Sequence, residues 1–136
     1  MNQGNTVPVV WINSSSAPFL ADIGALLKRY ETRSRNMLGA LAYQRVILAE
    51  SKSGKRLALY SVVIRSVRVV RSREEWDALR PVHRVPVGNP YDWKPETKVK
   101  YLYELSSLRR LRPFRVPDGV KHGRTWEEYN QQKKGR

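Results

Sequence analysis

The 136-residue sequence contains no cysteine, which removes disulfides, thiolate metal sites, iron–sulfur clusters and cysteine nucleophiles together. Its two histidines, His83 and His122, stand far apart, so no standard zinc spacing exists and no metal is expected. No apolar run approaches the roughly 20 residues that a membrane-spanning helix needs. The opening Met1-Asn2-Gln3-Gly4-Asn5 has neither the basic start nor the apolar core of a signal peptide. No membrane association is therefore expected, and the expected location is intracellular: cytoplasmic, or nucleoid or nuclear. A Walker or dinucleotide-type glycine loop is also missing, and no cofactor is expected. Acids are scarce: 12 Asp and Glu face 26 Lys and Arg, for a formal net charge of +14.

That imbalance is the first positive signal. Such a charge repels other copies of the chain, which favours a monomer, and it attracts polyanions through release of their condensed counterions. Nucleic acid is the expected partner class. The remaining composition, 40% hydrophobic and 28% charged with 8 Gly and 8 Pro, is that of a globular chain. Its length suits one domain, over residues 1–130, followed by a flexible basic tail over residues 131–136. Charge is also unevenly distributed, because the first 27 residues hold no Lys or Arg and only one acid, Asp22. The opening segment reads as scaffold and the rest as the electropositive surface.

Periodicity divides the chain into short elements. Val7–Ile12 is an apolar run suited to a buried strand, and Asn13-Ser14-Ser15-Ser16 is a turn with helix-capping side chains. Leu20, Ile23, Leu27 and Tyr30 repeat at helical spacing, predicting a helix over about Ala17–Arg29 that Gly24 weakens. Gly39–Glu50 reads as a strand closed by a turn over Ser51–Gly54. Arg56–Val70 exceeds an ordinary strand, which predicts two strands or one bent by a bulge. Ser72 with Glu75 forms a capping box for a short helix ended by Pro81. The Pro-rich segment Val82–Thr97 reads as a long loop, of the kind that carries function. Val99–Leu105 alternates as a strand does, and Leu108–Val116 starts another that Pro113 interrupts. Thr125 with Glu128 predicts a last helix over Trp126–Gln131. The sum is an α+β fold: a small, mostly antiparallel β-barrel with two or three short flanking helices.

The densest chemical cluster is Lys28-Arg29-Tyr30-Glu31-Thr32-Arg33. If the chain is extended beyond Tyr30, Glu31 and Arg33 share a face. A carboxylate held beside an arginine stays ionised and can accept from a base amine, while Lys28 can donate to a carbonyl or phosphate. The same residues also suit a solvated helix end, where cations answer the macrodipole.

The spacing K-x-x-E-x-R at Lys28, Glu31 and Arg33, after an amphipathic helix and before the strand Gln44–Ala49, resembles the ASCH domain family of the PUA-like superfold. The β-rich Leu57–Val70 leading into a helix at Glu74–Leu79, and Tyr101–Leu105 running into Leu108–Pro113, fit the same pattern, so the resemblance spans about residues 7–117. It implies a small barrel that binds RNA or modified nucleosides in a cleft beside the motif, and it favours RNA over DNA. ASCH domains usually carry a glycine two positions before the lysine, where this chain has Leu26. Some small members hydrolyse acylated cytidine with the motif lysine, a threonine and a separate carboxylate. Here Glu31 occupies the threonine position, and Glu74 or Glu75 could supply the distant carboxylate.

The expected nucleic-acid contacts are therefore Lys28, Glu31 and Arg33 for an unpaired or modified base, with Tyr91 and Trp93 of the proline-rich loop closing over it. Trp93 suits either that role or a plug at the barrel end. Arg65, Arg68, Arg109, Arg110 and Arg112 would follow the phosphate backbone. Two alternatives use the same residues. One is a hydrolase of modified nucleosides or RNA with Lys28 and Glu31 as catalytic candidates, and the other is a basic module for an acidic protein.

Overall fold

The computed structural model describes residues 7–51, 56–117 and 125–126. The chain opens with β1 (Val7–Ile12), whose apolar residues Val9, Val10 and Ile12 are buried. Helix α1 (Phe19–Gly24) follows and packs Leu20 and Ile23 into the core. Strand β2 (Tyr30–Arg33) and a 3₁₀ turn at Gly39–Leu41 lead into β3 (Arg45–Glu50). Strand β3 lies parallel to β1, with Val9 opposite Ile47 and Val10 opposite Leu48. A parallel pair needs a crossover rather than a hairpin, and residues 13–44 provide it.

The long strands β4 (Leu57–Val70) and β5 (Lys100–Arg115) form the antiparallel backbone of the sheet. Between them lie α2 (Arg73–Ala78), α3 (Arg80–His83) and the irregular segment 84–99. The strand β6 (Thr125–Trp126) pairs antiparallel with β1. Among the described residues the sheet order is β2-β5-β4-β3-β1-β6, with only β1 and β3 parallel. The architecture is α+β, as the element pattern implies.

The expected barrel does not close. β2 and β6 are the edges, and no ladder joins β2 to β1 among the described residues. A side chain spans the gap between β2 and β1: Arg33 Nη2 donates to the Trp11 carbonyl at 3.0 Å. Bending comes from bulges, as the length of Arg56–Val70 predicts. The β4–β5 register slips between Ala58 and Tyr60, between Ser61 and Val63, and between Ile64 and Val67. These slips also explain why Leu108–Val116 is no separate element. Pro113 falls in the unpaired stretch facing Leu59, where its missing N–H breaks no ladder bond, so β5 runs on to Arg115.

Other expectations change for local reasons. The first helix stops at Gly24, not Arg29, because Leu26 adopts φ 63° and the Leu27 and Lys28 amides both turn back to the Asp22 carbonyl, at 2.9 and 3.0 Å. Tyr30 consequently lies on β2, and Leu27 is exposed. Gly24 is required by packing: a Cβ there would sit 2.2 Å from the Tyr60 hydroxyl. The strand expected from Gly39 begins only at Arg45, after the 3₁₀ turn and a positive φ at Tyr43. Ser72 does cap α2, its hydroxyl accepting from Glu75 N at 3.1 Å. Pro81, instead of ending that helix, sits in the first turn of α3, where proline is tolerated. Trp126 is in β6 rather than at the start of a helix. Glu128, the rest of that expected helix, the basic tail, His122 and the turn residues Lys52–Gly54 lie outside the described residues.

Candidate functional site

The loop between α1 and β2 decides the site. After the left-handed residue Leu26, the chain turns inward and leaves Lys28 only 3% exposed. Its amine donates to the His83 carbonyl at 2.6 Å and lies 4.9 Å from the Phe19 ring centroid. Burial drives its pKa down from 10.5 to about 8; Glu31 opposes that shift, Arg33 adds to it and Asp22 opposes it. A lysine this buried is held where an ion is costly, unlike the solvated helix-end lysine that the local sequence allows.

Strand β2 then sets its two charged partners. Pairing with β5, Glu31 opposite Tyr103 and Arg33 opposite Tyr101, makes the backbone extended and turns both side chains to one face. Glu31 is 8% exposed, and its Oε2 meets Arg33 Nη2 at 2.8 Å. The same Nη2 donates to Trp11 O, so both of its hydrogens are engaged. Arg33 Nε is buried and has no hydrogen-bond partner among the described residues. An orphaned guanidinium N–H costs free energy until an acceptor arrives.

These three residues line one cavity of about 360 Å³, at the small end of the range for small-molecule sites. It opens at the unclosed seam of the sheet, between Ile12 and Asn13 at the end of β1 and Glu31, Thr32 and Arg33 on β2. The irregular segment supplies the opposite wall with Tyr91 and Lys94, and the start of β5 adds Lys100. Tyr91 is held at the mouth: its hydroxyl accepts from Asn13 Nδ2 at 3.2 Å, and its ring meets Phe19 edge-on at 6.1 Å. The buried Lys100 amine donates to Tyr91 O at 2.9 Å and lies 5.3 Å from the Trp76 ring; burial lowers its pKa.

The same wall includes Asp92, which also lines the cavity and is the centre of a polar cluster bonded within the protein. Asp92 accepts from Trp76 Nε1 at 2.7 Å, Trp93 N at 2.8 Å, Gly88 N at 2.9 Å and Arg80 Nη1 at 3.2 Å. Burial works against its ionisation, yet these bonds bring its pKa down to about 2. His83 stacks on Trp76 with ring centroids 3.9 Å apart, pairs its Nε2 with Trp76 O at 2.9 Å, and accepts from Val85 N on Nδ1 at 3.0 Å. That pattern fixes a neutral imidazole protonated on Nε2. Burial holds its pKa at about 4.

The structure thus brings together Lys28, Glu31, Arg33 and Tyr91 of the sequence-derived site. Trp93 packs against the core with its centroid 6.3 Å from Trp76, and it is not among the cavity-lining residues. Arg65 and Arg68 are exposed on β4, and Arg68 is paired with Glu75 at 2.8 Å. Glu74 and Glu75 are on α2, outside the cavity lining. Arg109, Arg110 and Arg112 are exposed on the distal half of β5, Arg110 lying 5.7 Å from the Tyr60 ring. Asn13, Lys94 and Lys100 are cavity residues that sequence reasoning missed. Lys100 left a signal: the alternation that buries Leu102 turns Lys100 to the same face.

Among the described residues, no cluster of three or more His, Asp or Glu could hold a metal, and no helix is long and apolar enough to cross a membrane. No protein-family model matches the sequence, and no curated protein matches it. Solved structures do. The crystal structure of ASCH from Zymomonas mobilis has a TM-score of 0.68 at 15% identity, covering 93% of this chain and 92% of that one. A serine-to-alanine mutant of that protein gives 0.63 at 14% identity over the same shares, and a tyrosine-to-phenylalanine mutant gives 0.61 at 15% over 93% and 94%. Leu26 fits this likeness, since the position where ASCH domains usually carry glycine is left-handed here. The chain has an α+β fold similar to that of these ASCH structures.

Proposed function

We propose that this protein binds nucleic acid, RNA in preference to DNA, and that the cavity at the open seam receives one unpaired or modified base. The carrying observation is that Lys28, Glu31 and Arg33 line one cavity of about 360 Å³ beside an Arg33 Nε–H that has no partner among the described residues. Phe19 and Tyr91 offer apolar and aromatic surface to the base. The phosphate backbone then runs over exposed arginines. Arg109, Arg110 and Arg112 lie roughly 20–30 Å beyond Tyr103 at the usual strand rise, so the footprint spans several nucleotides. Arg65 extends that track, whereas Arg68 joins it only by leaving Glu75.

The decisive test is fluorescence anisotropy with labelled single-stranded RNA at moderate salt. Lys28→Ala combined with Arg33→Ala should weaken binding at least tenfold, about 1.4 kcal/mol. Unchanged affinity overturns the cavity assignment and leaves only bulk charge.

One observation favours a second reading, hydrolysis of an acylated cytidine or of RNA. With a pKa of about 8, Lys28 is partly neutral near physiological pH and can exchange protons beside Glu31. Incubation with acylcytidines and with labelled RNA separates turnover from binding.

A further inference from the structure

Four cations and two carboxylates line the cavity, and both carboxylates are already balanced. Glu31 is paired with Arg33 at 2.8 Å, and Asp92 is paired at 3.2 Å with Arg80, which stands outside the lining. Lys28, Lys94 and Lys100 remain, and none of them forms an ion pair among the described residues. Lys28 and Lys100 are only 3% and 8% exposed. Even so, the hydrogen bond of each amine goes to a neutral carbonyl, that of His83 at 2.6 Å and that of Tyr91 at 2.9 Å. Lys94 is exposed on the same lining. A buried lysine is ordinarily paired with an acid, because burial strips the ammonium of its hydration. Two buried lysines without one, in the wall of a single cavity, call for an anion from outside the chain. Lys100 responds accordingly: burial and then the Lys94 charge lower its pKa, against a smaller pull from Asp92.

We propose that the cavity binds the phosphate monoester of a nucleotide, whose base lies against Phe19 and Tyr91. The proposal rests on the base-binding reading above and adds the anion that accompanies the base. A phosphate monoester carries close to two negative charges at neutral pH and three strong acceptor oxygens, whereas a link within a strand carries one charge. The monoester therefore matches the excess of two cations in the lining. Its oxygens also suit ammonium groups, which donate up to three bonds each. A cavity of about 360 Å³ is of small-molecule size, which fits a strand end or a mononucleotide better than a strand passing through.

Those two sources are separated by one set of titrations. RNA of one sequence is compared with a 5′-phosphate, with a 3′-phosphate and with hydroxyls at both ends, and nucleoside monophosphates are compared with their nucleosides. Phosphate at one end should tighten binding about tenfold, or about 1.4 kcal/mol, and phosphate at the other end much less. Lys94→Gln and Lys100→Met should each lower the ratio of phosphorylated to hydroxyl-ended affinity severalfold; Lys94 is exposed, so its variant serves even if Lys100→Met fails to fold. A gain confined to the mononucleotides, and lost in Lys94→Gln, assigns the site to free nucleotides. Equal gains at both RNA ends that Lys94→Gln leaves intact would come from the +14 net charge and overturn the proposal, as would no gain in any pair. Base binding survives that result if Lys28→Ala with Arg33→Ala still weakens hydroxyl-ended RNA. If that double variant binds hydroxyl-ended RNA as the native chain does, the base-binding reading falls as well.

Discussion

Two groups of buried polar residues share the wall formed by segment 84–99, and they differ in how completely their bonding capacity is used. In the Trp76–His83–Asp92 cluster every polar atom described has a partner: Asp92 accepts four bonds, and both ring nitrogens of His83 are engaged. In the Lys28–Glu31–Arg33 cluster an arginine N–H is orphaned and the amine is buried at a cost to its charge. Buried networks satisfied from within rigidify a fold, whereas partly satisfied ones carry a standing penalty. The first cluster is framework. The second leaves one buried N–H without a partner among the described residues. The His83 residue touches both, since its ring belongs to the framework and its carbonyl anchors Lys28.

The sharpest way to break this contrast is to empty the framework. Asp92→Ala removes the acceptor of four donors, one of them the Arg80 guanidinium, and leaves Trp76 Nε1 unpaired in the core. The expected loss is about 3–5 kcal/mol in chemical denaturation, the range for removing one member of a buried charged pair. A loss below about 1 kcal/mol would mean that water replaces the carboxylate easily and that the cluster is no framework.

Acid probes the same cluster with a smaller effect. The pKa of His83 is about 4 in the fold against an ordinary 6.5, so between those values the unfolded chain binds more protons. Its contribution is present in full above pH 6.5 and is lost as pH falls towards 4. The difference corresponds to roughly 3 kcal/mol at 1.36 kcal/mol per unit. Denaturation midpoints should fall across that window in the native chain and much less in His83→Gln. Asp92 weakens the fold only at lower pH, between its ordinary 3.8 and about 2, so the two titrations separate.

The contrast between the clusters was only half legible in the sequence. Local rules found what local chemistry decides: the apolar run of β1, the Ser72 cap, the over-long β4 that had to bulge, and the shared face of Glu31 and Arg33. They could not see that Lys28 is buried, because its partner is the carbonyl of a residue 55 positions away. The same limit hid the Trp76–Asp92 bond and led to Trp93 being weighed as a lid. Gly24 read as a helix-weakening residue because its reason, the Tyr60 ring, is on another strand. Closure of the barrel was likewise beyond reach, since it depends on whether two edges meet. Here Arg33 of β2 bonds the Trp11 carbonyl of β1, and the cavity opens beside that bond.

The second cluster should respond to mutation with the opposite sign. Lys28→Met keeps the length and apolar stem of the side chain but deletes the buried charge, whose pKa of about 8 against 10.5 records how far burial disfavours the ammonium. The His83 carbonyl loses its donor, which offsets part of the gain. The net expectation is a rise in stability of about 1 kcal/mol, within the range seen when buried ions give way to apolar residues, together with loss of RNA affinity. The linkage carries the same sign: because the folded pKa is lowered, the native chain should gain stability as pH rises from 8 towards 10.5, and Lys28→Met should lack that gain. A variant destabilised by more than about 2 kcal/mol would show Lys28 to be a structural bond to α3, and the division between a closed framework and an open site would fail at the residue on which it depends.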